Sequence, residues 1–139
     1  MNTTTLNPTS DWTDGKRYLW LLSPLLPVLG LSSLAMLQVT GWPVYAWGGA
    51  IVLYGVIPVL DWMVGIDRTN PPESAVSQLE SDRYYRLIVY AYIPAQFALT
   101  IWATWLAVRG GYGPGVVAGI ALTAGTINGI AINTAHELG

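Results

Sequence analysis

The sequence predicts an all-α integral membrane protein with four bilayer-spanning helices. Two observations predict this. Of its 139 residues, 53% are hydrophobic and only 10% charged, where a soluble domain carries about a quarter charged residues. The few charges are also segregated: no Asp, Glu, Lys or Arg occurs from Tyr18 to Leu60, from Leu87 to Val108, or from Gly110 to Ala135. An ionised side chain at mid-bilayer costs several kcal/mol, so uncharged runs of ~18 residues or more read as spans. The first run is long enough for two of them, which makes four.

The same composition excludes other classes. Without cysteine, the chain has no disulfide, no thiolate metal site and no iron–sulfur cluster of its own. No cluster of Lys and Arg suggests nucleic acid as a partner. The net charge of −2 belongs to short connections and says little about partners.

Residues 1–17 read as a polar tail that ends in Lys16-Arg17. The tail lacks the basic stretch and small-residue cleavage site of a signal peptide, so the first helix is expected to remain as an anchor. That helix covers 18–39, with Pro24 and Pro27 bending its first turns. Thr40-Gly41-Trp42-Pro43 is a tight turn with an aromatic at the interface. The second helix covers 43–64, with a kink at Pro58 and Asp61 near its end.

Asn70-Pro71-Pro72-Glu73 has the form of a helix start, with a capping Asn, Pro at the first position and Glu at the third. A surface helix is expected over 73–86, supported by Glu80 with Arg83 and Asp82 with Arg86 at helical spacing. It leads into the third span, 87–108. Arg109 to Pro114 is a glycine-rich turn, and the fourth span follows over 115–135. Gly115 and Gly119, and likewise Ala121, Gly125 and Gly129, recur every four residues, a spacing that lets helices approach closely. Asn128 and Asn133 place amides in this span that must find partners on other helices.

Lys16, Arg17, Arg68, Arg83 and Arg86 fall on one side of this arrangement and only Arg109 on the other. The positive-inside rule then places both ends of the chain in the cytoplasm.

Chemistry is expected at His136-Glu137-Leu138-Gly139, where the fourth span meets the cytoplasm. An isolated His at a helix end is commonly an interfacial residue. Two sharper readings each need a further histidine. In H-E-x-x-H, two imidazoles one turn apart bind zinc and the Glu activates water. In a histidine box of a membrane di-iron oxygenase, imidazoles spaced i, i+4 hold iron. The tetrapeptide leaves both open.

The wider pattern favours the second. Lys16-Arg17-Tyr18-Leu19-Trp20, Asp61, Asn70-Pro71-Pro72-Glu73, Leu79-Glu80 with Arg83-Tyr84-Tyr85-Arg86, and Asn128-Gly129 with Asn133-Thr134-Ala135-His136-Glu137-Leu138-Gly139 resemble, in order, the alkane 1-monooxygenase family. The resemblance covers essentially the whole chain. It implies a bacterial inner-membrane enzyme with six transmembrane helices, both termini cytoplasmic. It also implies two irons held by histidines, and hydroxylation of the terminal carbon of a medium or long alkane with O₂. Electrons would come from NADH through a reductase and rubredoxin.

On this resemblance residues 18–139 are the N-terminal part of the oxygenase domain, ending inside the first histidine box. His136 matches that box's first metal ligand. Glu137 and Asp61 would orient ligands from outside the metal's own shell, and Leu53 would line an apolar substrate path and limit how deep the alkane enters. No residue of this stretch is assigned a catalytic role. The family chain is close to three times as long, and its later boxes and last two helices have no counterpart here. One imidazole cannot hold two irons, so the 139-residue chain by itself is expected to bind no iron and hydroxylate nothing. The remaining alternatives are a membrane zinc protease whose motif is cut short, and an inactive membrane fragment.

Overall fold

The computed structural model describes residues 13–65 and 73–136, and all their regular structure is helical. Among the described residues four helices are long and apolar enough to cross a bilayer. Span 1 is Arg17–Thr40, span 2 Pro43–Val64 and span 3 Arg83–Arg109. Span 4 is Pro114–His136, and a short helix, Glu73–Ser81, precedes span 3. The expected four-span, all-α architecture is the one found.

Prolines shape both early spans. Span 1 opens as a tight 3₁₀ segment, Arg17–Leu21, before the α-helix Leu22–Thr40 begins. Pro24 lies in the first α-turn, where its missing N–H costs no hydrogen bond, while Pro27 sits inside the helix. The helix stops at Gly41, whose φ of 70° suits a residue without Cβ. Thr40 Oγ1 accepts from Trp42 N at 3.2 Å, and Pro43 opens span 2. In span 2 the distortion anticipated at Pro58 falls one turn earlier, as a π-helical segment, Val52–Val56. A proline ring collides with the carbonyl four residues before it, here that of Tyr54, and a widened turn relieves the collision.

The expected surface helix over 73–86 is corrected. The short helix ends at Ser81, Asp82 is extended, and its Oδ1 accepts from Tyr84 N at 2.8 Å. Span 3 therefore starts at Arg83, four residues earlier than the apolar run. A carboxylate that caps two residues on competes with continued helix, and here the cap prevails over side-chain pairing. Asp82 forms its ion pair with Arg17, at 3.1 Å, while Arg86 Nε donates to the Glu80 carbonyl at 3.1 Å. Glu73 is the first residue of the short helix; Asn70, Pro71 and Pro72 lie outside the described residues.

The interior joins spans 1, 3 and 4 around Leu34, Leu37, Tyr92, Leu99, Leu106, Ile120 and Ile127, with Ala46 from the start of span 2. Lipid tails are as apolar as these residues, so close fit and hydrogen bonds hold such an interior more than the hydrophobic effect does. The fit is tight where span 2 meets span 4. A methyl added at Gly49 would come within 2.8 Å of Thr123 Cγ2 and 3.1 Å of its main chain. Buried Thr123 donates from Oγ1 to the Ala46 carbonyl at 2.7 Å and accepts from Gly49 N at 3.1 Å. Further bonds cross between spans. Ser33 Oγ donates to the Tyr45 carbonyl at 2.6 Å, Tyr92 OH to the Ile127 carbonyl at 2.8 Å, and Thr100 Oγ1 to Asn128 Oδ1 at 3.1 Å.

The second half of span 2 behaves differently. Every residue from Tyr54 to Gly65 is exposed, so the helix leaves the bundle after the π segment. Leu53 sits at the point of divergence, half-buried and packed against the interior.

Candidate functional site

The charged ends of spans 1 and 3 meet in a clasp. Asp14 precedes span 1, and its Oδ2 accepts from Tyr85 OH at 2.6 Å and Trp20 Nε1 at 3.2 Å; its Oδ1 accepts from Lys16 N at 2.8 Å. The Tyr85 hydroxyl above all, helped by Lys16 N and Trp20, holds the Asp14 carboxyl below the usual carboxylate range against the opposing effect of burial. Arg17 pairs with Asp82, and its guanidinium carbon lies 4.2 Å from the centre of the Tyr84 ring. Tyr84 OH donates to the Arg17 carbonyl at 2.8 Å. Trp20 meets Tyr85 edge-on, with ring centres 6.1 Å apart.

This clasp ties together two motifs that the sequence shows separately, Lys16-Arg17-Tyr18-Leu19-Trp20 and Arg83-Tyr84-Tyr85-Arg86. Asp14 escapes a sequence reading, because nothing local distinguishes it from the rest of a polar tail. A shallow, apolar depression of about 270 Å³ beside Lys16, Leu19, Trp20 and Ser23 lies near the clasp and away from the residues expected to carry chemistry.

Those residues stand apart in the structure. Asp61 is exposed in the last turn and a half of span 2, where its carbonyl accepts from Gly65 N at 2.9 Å. Leu53 lies in the π segment, about two helical turns before Asp61. His136 is the last residue of the span 4 helix. Glu137 lies outside the described residues. Spans 1 and 3 bring their charged ends together, whereas the exposed end of span 2 carries Asp61 away from the interior. Among the described residues no three His, Asp or Glu side chains converge as a metal site.

The architecture is that of a multi-pass membrane protein, with its polar connections joining the ends of apolar helices. No protein-family model matches the sequence. Alkane 1-monooxygenase 1 of Alcanivorax borkumensis is 39% identical over 145 residues, covering 99% of this chain and 35% of the relative. Alkane 1-monooxygenase of Acinetobacter baylyi is 44% identical over 130 residues, covering 90% of this chain and 31% of the relative. That of Ectopseudomonas oleovorans is 37% identical over 134 residues, covering 96% and 33%. The chain belongs to the alkane 1-monooxygenase family. It spans about a third of the length of these relatives.

Proposed function

We propose that this chain is the opening, membrane-embedded part of an enzyme that hydroxylates the terminal carbon of a medium or long alkane with O₂. The observation that carries the proposal is similarity over nearly the whole chain to relatives named for alkane monooxygenation, at 39% and 44% identity. Those names also favour the histidine-box reading of His136-Glu137 over the zinc-protease one.

The family implies two irons, and the residues present do not supply their ligands. His136 is the single histidine of the sequence, and no group of ligating side chains converges among the described residues. No step through the metal follows from this chain. Its contribution is one imidazole, from His136, with Glu137 and Asp61 to orient ligands once the rest of the site is present. Inserting one oxygen atom into a C–H bond and reducing the other to water takes two electrons per turnover. Rubredoxin and its NADH-dependent reductase are the donors in this reading.

An alkane offers no polar handle, so only the shape and length of an apolar path can select it. Leu53 suits a place on such a path. The helix widens at its position, its side chain is half-buried, and the span diverges from the bundle just beyond it. The charge distribution favours a bacterial inner-membrane orientation with the clasp and His136 on the cytoplasmic side, where soluble electron donors have access.

Joining residues 1–139 to the remaining length of the Acinetobacter baylyi enzyme tests the proposal. The joined protein, in membranes supplied with rubredoxin, reductase, NADH and an alkane, is expected to yield the primary alcohol. A joined protein that inserts and folds yet makes no alcohol would refute the assignment.

A further inference from the structure

In the clasp, two oxidisable rings and a base meet at a single oxygen atom. Asp14 Oδ2 accepts from Tyr85 OH at 2.6 Å and from Trp20 Nε1 at 3.2 Å. The two rings stand edge-on, with centres 6.1 Å apart and planes at 90°. Indole and phenol are among the side chains that give up a single electron most readily. Each becomes far more acidic when it does, so a base within hydrogen-bond reach makes the loss easier. The donors around Asp14 hold its carboxyl below the usual carboxylate range, which keeps it ionised near neutral pH. An oxidised phenol is a stronger acid than any carboxylic acid, so its proton still passes to Asp14 downhill.

The neighbouring tyrosines lack this arrangement. Tyr84 lies 5.2 Å from Tyr85, centre to centre, but its hydroxyl donates to the Arg17 carbonyl, which takes up no proton. The Arg17 guanidinium is 4.2 Å from the Tyr84 ring centre and 5.7 Å from that of Tyr85, so it opposes positive charge on Tyr84 more strongly. Buried Tyr92 likewise donates to a main-chain carbonyl, that of Ile127. Trp20 is the point of entry, because it is 53% exposed whereas Tyr85 is half-buried.

We propose that Trp20, Asp14 and Tyr85 form a redox relay in which an electron lost from Trp20 is replaced by Tyr85. A one-electron oxidant in the water phase takes the electron from the indole. Tyr85 then reduces the indole and passes its phenolic proton to Asp14, leaving a neutral tyrosyl radical beside a protonated carboxyl. One electron from a reductant such as a thiol, with the proton returned from Asp14, restores both residues. The relay holds an oxidising equivalent at the membrane surface, on a side chain that can be repaired. It depends on the clasp and not on the hydroxylation reading.

The test is flash photolysis of the 139-residue chain in lipid nanodiscs, with photogenerated tris(bipyridine)ruthenium(III) as the oxidant. Trp42, Trp62 and Trp105 are exposed as well, and their radicals form a background common to every variant. In the wild type, tryptophan radical absorption is expected to fall as the tyrosyl band grows. Absence of a tyrosyl band would overturn the relay. Tyr85→Phe and Trp20→Phe should each remove most of the tyrosyl yield, and an undiminished yield in either would overturn it. Asp14→Asn leaves an acceptor beside Tyr85 that cannot take its proton, and should slow tyrosyl growth about a hundredfold. Unchanged growth in folded Asp14→Asn protein would show that Asp14 has only a structural role, which also overturns the relay. Should that variant fail to fold, 3-fluorotyrosine placed at position 85 of the otherwise unchanged chain decides. Fluorine splitting in the electron paramagnetic resonance spectrum of the trapped radical puts the radical on Tyr85, and an unsplit signal puts it elsewhere and overturns the relay. Alkane oxidation is not read, so failure of the enzymatic proposal leaves this result standing.

Discussion

Thr123→Val isolates the contact that locks span 2 to span 4. The substitution keeps the shape of the side chain and deletes only the hydroxyl, which donates to the Ala46 carbonyl at 2.7 Å and accepts from Gly49 N at 3.1 Å. The residue is fully buried, so neither main-chain group gains a water when its partner goes. A buried hydrogen bond is worth a net ~1 kcal/mol in soluble proteins. Bonds between membrane helices average ~0.6 and reach ~1.7 kcal/mol. Two such bonds give an expected loss of about 1–3 kcal/mol. Thr123→Ser supplies the contrast, since it keeps both bonds and loses one methyl, costing about 1 kcal/mol. Gly49→Ala attacks the same contact sterically, pushing a methyl to 3.1 Å from the Thr123 main chain, at about 1–3 kcal/mol. The assay is reversible unfolding of the purified chain in mixed micelles of rising SDS content, followed by tryptophan fluorescence. A Thr123→Val protein within ~0.3 kcal/mol of the wild type would refute the idea that this hydroxyl fastens the helices.

Further predictions concern the clasp and the path. Asp14 has its carboxyl pKa lowered in the folded chain, so the stability it adds is fully present above the unfolded value, roughly 3.9, and is lost as pH falls through the lower folded value. Asp14→Asn is expected to flatten that acid dependence in pH-resolved unfolding curves; an unchanged curve would remove Asp14 from the clasp. Asp82→Ala deletes both the cap on span 3 and the pair with Arg17, with an expected loss of about 1–2 kcal/mol in the same unfolding assay. In the joined enzyme, Leu53→Trp should shift the alcohol products toward shorter alkanes, and an unaltered product profile would take Leu53 off the path.

Much of the fold is legible in the sequence because charge is so costly in a bilayer. Runs such as 18–60 have no other use for their length, and the four spans follow from them. The break at Asp82 is not legible in the same way. Glu80 with Arg83 and Asp82 with Arg86 sit at helical spacing, yet the Asp82 carboxylate caps Tyr84 N and reaches across to Arg17. That choice depends on a residue far away in sequence. The same applies to the clasp, where Asp14 and Tyr85 are 71 positions apart. Pro58 announces a distortion in span 2, but where the helix widens depends on the turn before it. His136 and Glu137 are legible as a motif, because a His-Glu pair at a span's end is rare chemistry in an apolar chain. Partners for His136 are not legible, since the sequence holds no second histidine.

Iron content of the joined protein tests the central claim most directly. The purified protein should hold two iron equivalents, falling to about one or fewer after His136→Ala with the same yield of folded material, while the 139-residue chain alone should hold none. Two irons retained after His136→Ala, in folded protein, would contradict the assignment of His136 as a ligand and the account built on it.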